Sequence, residues 1–154
     1  MKFNGLKRGS IIAVSALGLI GATGSAASAS VVDFDAVSIN TAYADFSGQV
    51  EWHASASTTA AVVSGRVTYD NWSNPGCARV RLSMYDFSGK RVVNDQYSQL
   101  ACGQGPFVSS KVLKTMTKSG LPRPYRVKVT AQVGTSSGTS FSDTGSSVNV
   151  LLGD

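Results

Sequence analysis

Histidine and cysteine are the scarcest reactive residues of this 154-residue chain, which has one of the first, His53, and two of the second, Cys77 and Cys102. Every imidazole-based mechanism must therefore run through His53. Two thiols and one imidazole also fall short of the four ligands of a structural zinc site, and the thiols are not spaced C-x-x-C. Charge is thin, at 15% of residues. The sequence has no G-x-S-x-G elbow, P-loop, dinucleotide fingerprint or H-E-x-x-H pair. These absences predict a chain with no catalytic residues, no metal and no cofactor. No stretch keeps a helical period.

The amino terminus carries the longest apolar run. Lys2, Lys7 and Arg8 precede the apolar residues 11–20, and Ala27 and Ala29 flank Ser28 as a peptidase site requires. The run is too short for a permanent membrane span. Residues 1–29 are thus predicted to be a signal peptide, residues 30–154 a single secreted, extracellular domain. Without the leader's three cations the mature chain has 11 basic and 9 acidic residues, a formal +2. So mild a charge weakens the case for nucleic acid as partner. It is unevenly placed: residues 30–65 hold Asp33, Asp35, Asp45 and Glu51 and no cation, whereas residues 66–154 hold every mature cation.

What the mature chain does have is alternation with period two, the pattern of strands with two unlike faces. Phe46, Gly48, Val50, Trp52 and Ala54 form one such series; Ala61, Val63, Gly65, Val67 and Tyr69 a second; Tyr125, Val127, Val129, Ala131 and Val133 the most regular. In the first stretch Val32 and Phe34 change parity to Val37 and Ile39, which predicts a bulge or a strand that switches faces. Residues 70–76, with two Asn, a Pro and a Gly, read as a turn. Next, Ala78, Val80, Leu82 and Met84 alternate with Arg79, Arg81, Ser83 and Tyr85. With Gly89 and Lys90 as central turn residues and a return strand over 91–101, Cys77 faces Cys102 and Leu82 faces Tyr97. A disulfide closing this hairpin would contribute roughly 3 kcal/mol. Strand signals recurring every 8–15 residues predict an all-β, antiparallel two-sheet sandwich of about 7–9 strands, with one disulfide-closed hairpin.

Leu121, Pro122, Tyr125, Val127, Val129 and Ala131 resemble the E–F corner and F strand of fibronectin type III domains, within the wider immunoglobulin-like class. The resemblance implies that Tyr125 is a tyrosine corner, bonding back to the chain upstream, and that Trp52 fills the core. It covers about 30 residues well. The chain departs from the family in its mid-chain disulfide and in lacking R-G-D. Fold resemblance alone assigns no function.

Candidate contacts are Trp72 and Asn71 in the loop at 70–76, Tyr85 and Phe87 at the hairpin, and Arg79 and Arg81 on its polar face. A basic face adds Lys111, Lys114, Arg126 and Lys128. Tyr69 and Tyr97 would extend the surface if they lie outside. The predicted function is a secreted, non-catalytic binding module for an extracellular protein or a cell-wall polysaccharide. One alternative is a protease inhibitor or small toxin acting through the stapled loop. Another is a hydrolase pairing His53 with a serine or with Asp45 or Asp70. The carboxylates of Asp33 and Asp35 share a strand face, a pattern open to calcium but more simply a charged edge.

Overall fold

The alternating segments become seven strands and no helix in the computed structural model, which describes residues 30–55, 57–120 and 125–151. In chain order these are β1 (Ser30–Ile39), β2 (Ala44–Ala54), β3 (Thr58–Asp86), β4 (Arg91–Tyr97), β5 (Ala101–Ser119), β6 (Tyr125–Thr135) and β7 (Phe141–Leu151). The predicted leader lies outside the described residues, as do residues 121–124, on which the upstream half of the tyrosine corner falls. Among the described residues no helix is long and apolar enough to cross a membrane.

At 29 residues β3 far exceeds the usual strand of five or six, and it organises everything else. One edge of β3 pairs with β4 and then β5, from Tyr85 opposite Arg91 to Thr58 opposite Ser119. Ser98 fills the gap between those two strands: its N–H donates to the Val80 carbonyl and its hydroxyl accepts from the Val80 N–H. The two arms form one long antiparallel ribbon. The other edge pairs with β2 over residues 59–69 and with β6 over 76–86; β1 adds outside β2 and β7 outside β6. A single hydrogen-bonded sheet therefore wraps around one core. Strand β1 approaches β7, but no ladder joins them among the described residues, so the sheet is close to a barrel.

Residues 70–76 correct the sequence reading, since they do not reverse the chain. Asn71 pairs with Gly105 and Gly76 with Gly103, so residues 72–75 loop out of a ladder that resumes beyond them. This bulge also shifts parity. Odd-numbered Ala61, Val63, Val67 and Tyr69 are buried before it; even-numbered Ala78, Val80, Leu82 and Met84 are buried after it. Opposite, β5 carries an extra residue between Gly105 and Val108, where Phe107 takes the left-handed φ of 60°. Both arms thus re-aim their apolar residues at the same place. The core joins these residues to Phe46, Val50 and Trp52 of β2, Val112 and Met116 of β5, and Tyr125, Val127, Val129 and Ala131 of β6. Trp52 is fully buried, and Tyr125 is buried at the start of β6.

The hairpin register is also corrected. Cys77 does face Cys102 and the two are bonded, but two irregularities between β3 and β4 place Leu82 opposite Gln96 and Arg81 opposite Tyr97. The turn is Phe87, Ser88 and Gly89, not Gly89 and Lys90: Asp86 N–H donates to the Lys90 carbonyl, and Gly89 N–H to the Asp86 carbonyl. Gly89 takes the positive φ of 81° that this three-residue loop requires. The return strand stops at Tyr97 rather than at 101. In β1 the irregularity lies between Val31 and Asp33, earlier than the parity of Phe34 and Val37 implied. The ladder is unbroken from Asp33 to Ile39, which leaves Phe34 half exposed.

Candidate binding surface

The β3 bulge is a built structure. Asn71 Oδ1 accepts from Ser73 N–H at 3.0 Å and Asn74 N–H at 3.3 Å, an Asx turn that holds the loop at its root. From below, the Tyr69 hydroxyl donates to the Asn74 carbonyl at 2.9 Å, and the Tyr69 ring lies against Gly76. Tyr69 is therefore buried support rather than contact surface. The disulfide follows at once, with Cys77 Sγ also near the Ser136 carbonyl of the β6–β7 turn. On this frame Trp72 is 69% exposed. Phe107, on the facing bulge of β5, is 70% exposed. A bulky side chain at positive φ is sterically costly, and such outliers gather at functional sites.

A shallow hollow of about 240 Å³ lies at the same end, between Thr41, Ala42 and Tyr43 on one side and Val133, Ser142, Asp143 and Thr144 on the other. It adjoins the bulge because the Tyr43 carbonyl accepts from Asp70 N–H. Its volume is below the range of roughly 300–1,000 Å³ typical of small-molecule pockets.

Arg79 and Arg81 lie on the outer face of the β4–β3–β6–β7 half, where they are largely engaged. The Arg79 guanidinium is stacked between the rings of Tyr97, 4.2 Å to the centroid, and Phe141, 3.9 Å. Its Nε donates to Gln132 Oε1, and Gln132 Nε2 donates to Asp143 Oδ1. Asp143 Oδ2 in turn pairs with Arg81 Nη2 at 2.8 Å. Removal from water lowers the pKa of Arg79 from the usual arginine range; Tyr97 pulls it up, and the neighbouring Arg81 pushes it further down. Four strands are cross-tied by this row. Tyr97, a candidate extension of the surface, is partly exposed and stacks on Arg79, whereas Phe141 carried no signal in the sequence because it becomes a neighbour of Arg79 only through the fold.

The remaining candidates do not form one face. Arg126 and Lys128 are on β6 opposite Tyr85 and Ser83, with Arg126 over the Tyr85 ring at 5.2 Å. Lys111 and Lys114 are on β5 opposite Arg66 and Val63, in the other half of the sheet, and their spacing of three places them on opposite faces. Phe87 is 89% exposed at the hairpin tip. Ten extended residues separate Gly76 from Asp86, about 33 Å, so Phe87 and Trp72 cannot share a contact patch. The disulfide sits mid-ribbon, far from the exposed tip of the hairpin that it closes.

His53 is on β2, with Nε2 3.7 Å from Glu51 Oε2, and it lines neither the hollow at Tyr43 nor the smaller one at Phe87. Among the described residues no group of three or more His, Cys, Asp or Glu is placed to hold a metal ion. Asp45 Oδ1 accepts from the Thr41 N–H. No protein-family model matches the chain, and no curated protein does. Phe107 was not among the candidate contacts; the Gly-x-Gly-Pro run before it is the available sign of a kinked, exposed backbone.

Proposed function

We propose that this chain is an exported, non-catalytic binding module, an immunoglobulin-like sandwich whose two leaves are the β1–β2–β3–β5 and β4–β3–β6–β7 halves of the sheet. Its contact end is the paired bulge that carries Trp72 and Phe107. The carrying observation is that Trp72 is 69% exposed while its loop is fixed by Asn71, the Tyr69 hydroxyl and the neighbouring disulfide. An aromatic held rigid before contact loses little conformational freedom on binding, which is how interface anchors work. The leader and the disulfide together support an oxidising, extracellular setting. The extracellular partner is a protein or a polysaccharide.

The test is capture from culture fluid and cell-wall fractions by the disulfide-bonded chain and by its Trp72→Ala variant. Material retained by the wild type and lost by an equally stable variant supports the reading. Equal retention by both removes this surface from consideration.

A further inference from the structure

Three segments converge at the disulfide. Cys77 lies opposite Cys102 on one side and Gly134 on the other, and Gly76 lies opposite Gly103 and Thr135. Leu100 reaches over Gly138, so the β6–β7 turn closes the group. Residues 71–78, 98–107 and 134–142 contain no Asp, Glu, Lys, Arg or His, although the mature chain holds 20 Asp, Glu, Lys and Arg residues. In their place are Asn71, Ser73, Asn74, Gln99 and Gln104, and the hydroxyl-rich turn at 135–140. Of the bordering charges, Asp70 has its Oδ1 buried and Arg79 is enclosed by two rings, while Asp143 is exposed but paired with Arg81 and held by Gln132. The largest exposed apolar groups here are Trp72, Phe107 and Leu100.

Resting on the binding reading above, we propose that this end binds a neutral polysaccharide, laid across Trp72 and Phe107. A sugar ring offers an apolar C–H face that stacks on an aromatic and a rim of hydroxyls that both donate and accept. Amides and hydroxyls match that rim because each also donates and accepts. Asn71 uses its carbonyl to hold the turn, and its amide donors take no part in that turn. An anionic polymer finds no cation on these segments. A protein hot spot is characteristically enriched in arginine beside its aromatics, and that residue is missing here. The shallow surface suits a chain lying across it rather than a small molecule enclosed by it.

The test is retention of the disulfide-bonded chain on insoluble cellulose and chitin, and its retardation in gels containing xylan, mannan or mixed-linkage β-glucan, with polygalacturonate as the anionic control. The expected result is binding to at least one neutral polymer that persists in about 1 M salt, where the Debye length is about 3 Å. Trp72→Ala and Phe107→Ala should each weaken it about tenfold or more, with melting temperature held, and Trp72→Phe should retain most of it. No retention on any neutral polymer, or binding only to polygalacturonate, overturns the proposal. A protein captured from culture fluid in a Trp72-dependent way, without polysaccharide binding, overturns the ligand class and leaves the contact end standing. Polymer binding unaffected by Trp72→Ala overturns both.

Discussion

Replacing Cys77 and Cys102 together by alanine tests how the contact end is held. The bonded residues are 25 apart. Closing a loop of that length removes about 12 cal/mol/K from the unfolded chain, or about 3.5 kcal/mol at 25 °C. For a domain of this size one kcal/mol is worth about 4 °C, so the double variant should melt about 14 °C lower. Cys77 is fully buried, so alanine there also leaves a small void. Reducing the wild type without mutation keeps both sulfur atoms in place and isolates the cross-link. Urea unfolding followed by tryptophan fluorescence gives both the midpoint and the slope. The slope should rise in the reduced protein, because a denatured chain freed of its cross-link exposes more surface. A loss below about 1 kcal/mol, or a full loss with unchanged slope, would refute the assignment of the stabilisation to the unfolded chain.

The two tryptophans should separate cleanly by urea unfolding: Trp52→Ala costs about 3–5 kcal/mol because its ring fills the core, whereas Trp72→Ala stays within about 0.5 kcal/mol. Gly48 faces Gly65 across β2 and β3, and a methyl group on Gly48 would fall on the Ser64 carbonyl oxygen and the Phe46 ring. Gly48→Ala should therefore lower stability by about 1–3 kcal/mol, read as a drop in melting temperature. The Asp86 carboxylate accepts from the Ser88 hydroxyl at 2.7 Å and the Lys90 N–H at 2.9 Å, and these bonds, the hydroxyl foremost, hold its pKa below the ordinary carboxylate value. A depressed folded-state pKa stabilises above the unfolded value and loses that contribution as pH falls through the folded one. The melting advantage of wild type over Asp86→Asn should therefore be full at neutral pH and shrink below about pH 4.

The strands were legible wherever one face is buried and the other wet, as at Val50 to Ala54 or Tyr125 to Val133, because burial on one side writes period two into the sequence. The cysteine pairing was legible from the count alone, two cysteines behind a predicted leader, and not from alternation, since the even register that aligned them breaks between β3 and β4. What the sequence concealed is how strands join. Asn, Pro and Gly at 70–76 spell a turn, and local chemistry does form one at Asn71, but hydrogen bonds to Gly103 and Thr135 pick the chain up again in the same direction. Register slips between β3 and β4 left no mark, since Tyr97 and Gln96 suit either position. Exposure of Trp72 was left open by its neighbours and is decided by Tyr69, whose hydroxyl supports the loop from beneath and leaves the indole outside.

The ribbon of β3 with β4 and β5 has a mechanical consequence. Among the described residues β1 and β7, nearest the chain ends, are each held along one edge only. Tension applied between the ends would peel these outer strands first and then load the ribbon, where the disulfide ties the two arms directly. The residues between Cys77 and Cys102 could not then be drawn out, which withholds about 85 Å of extended chain. Force would pass through the sulfur bridge instead, beside the loop that carries Trp72.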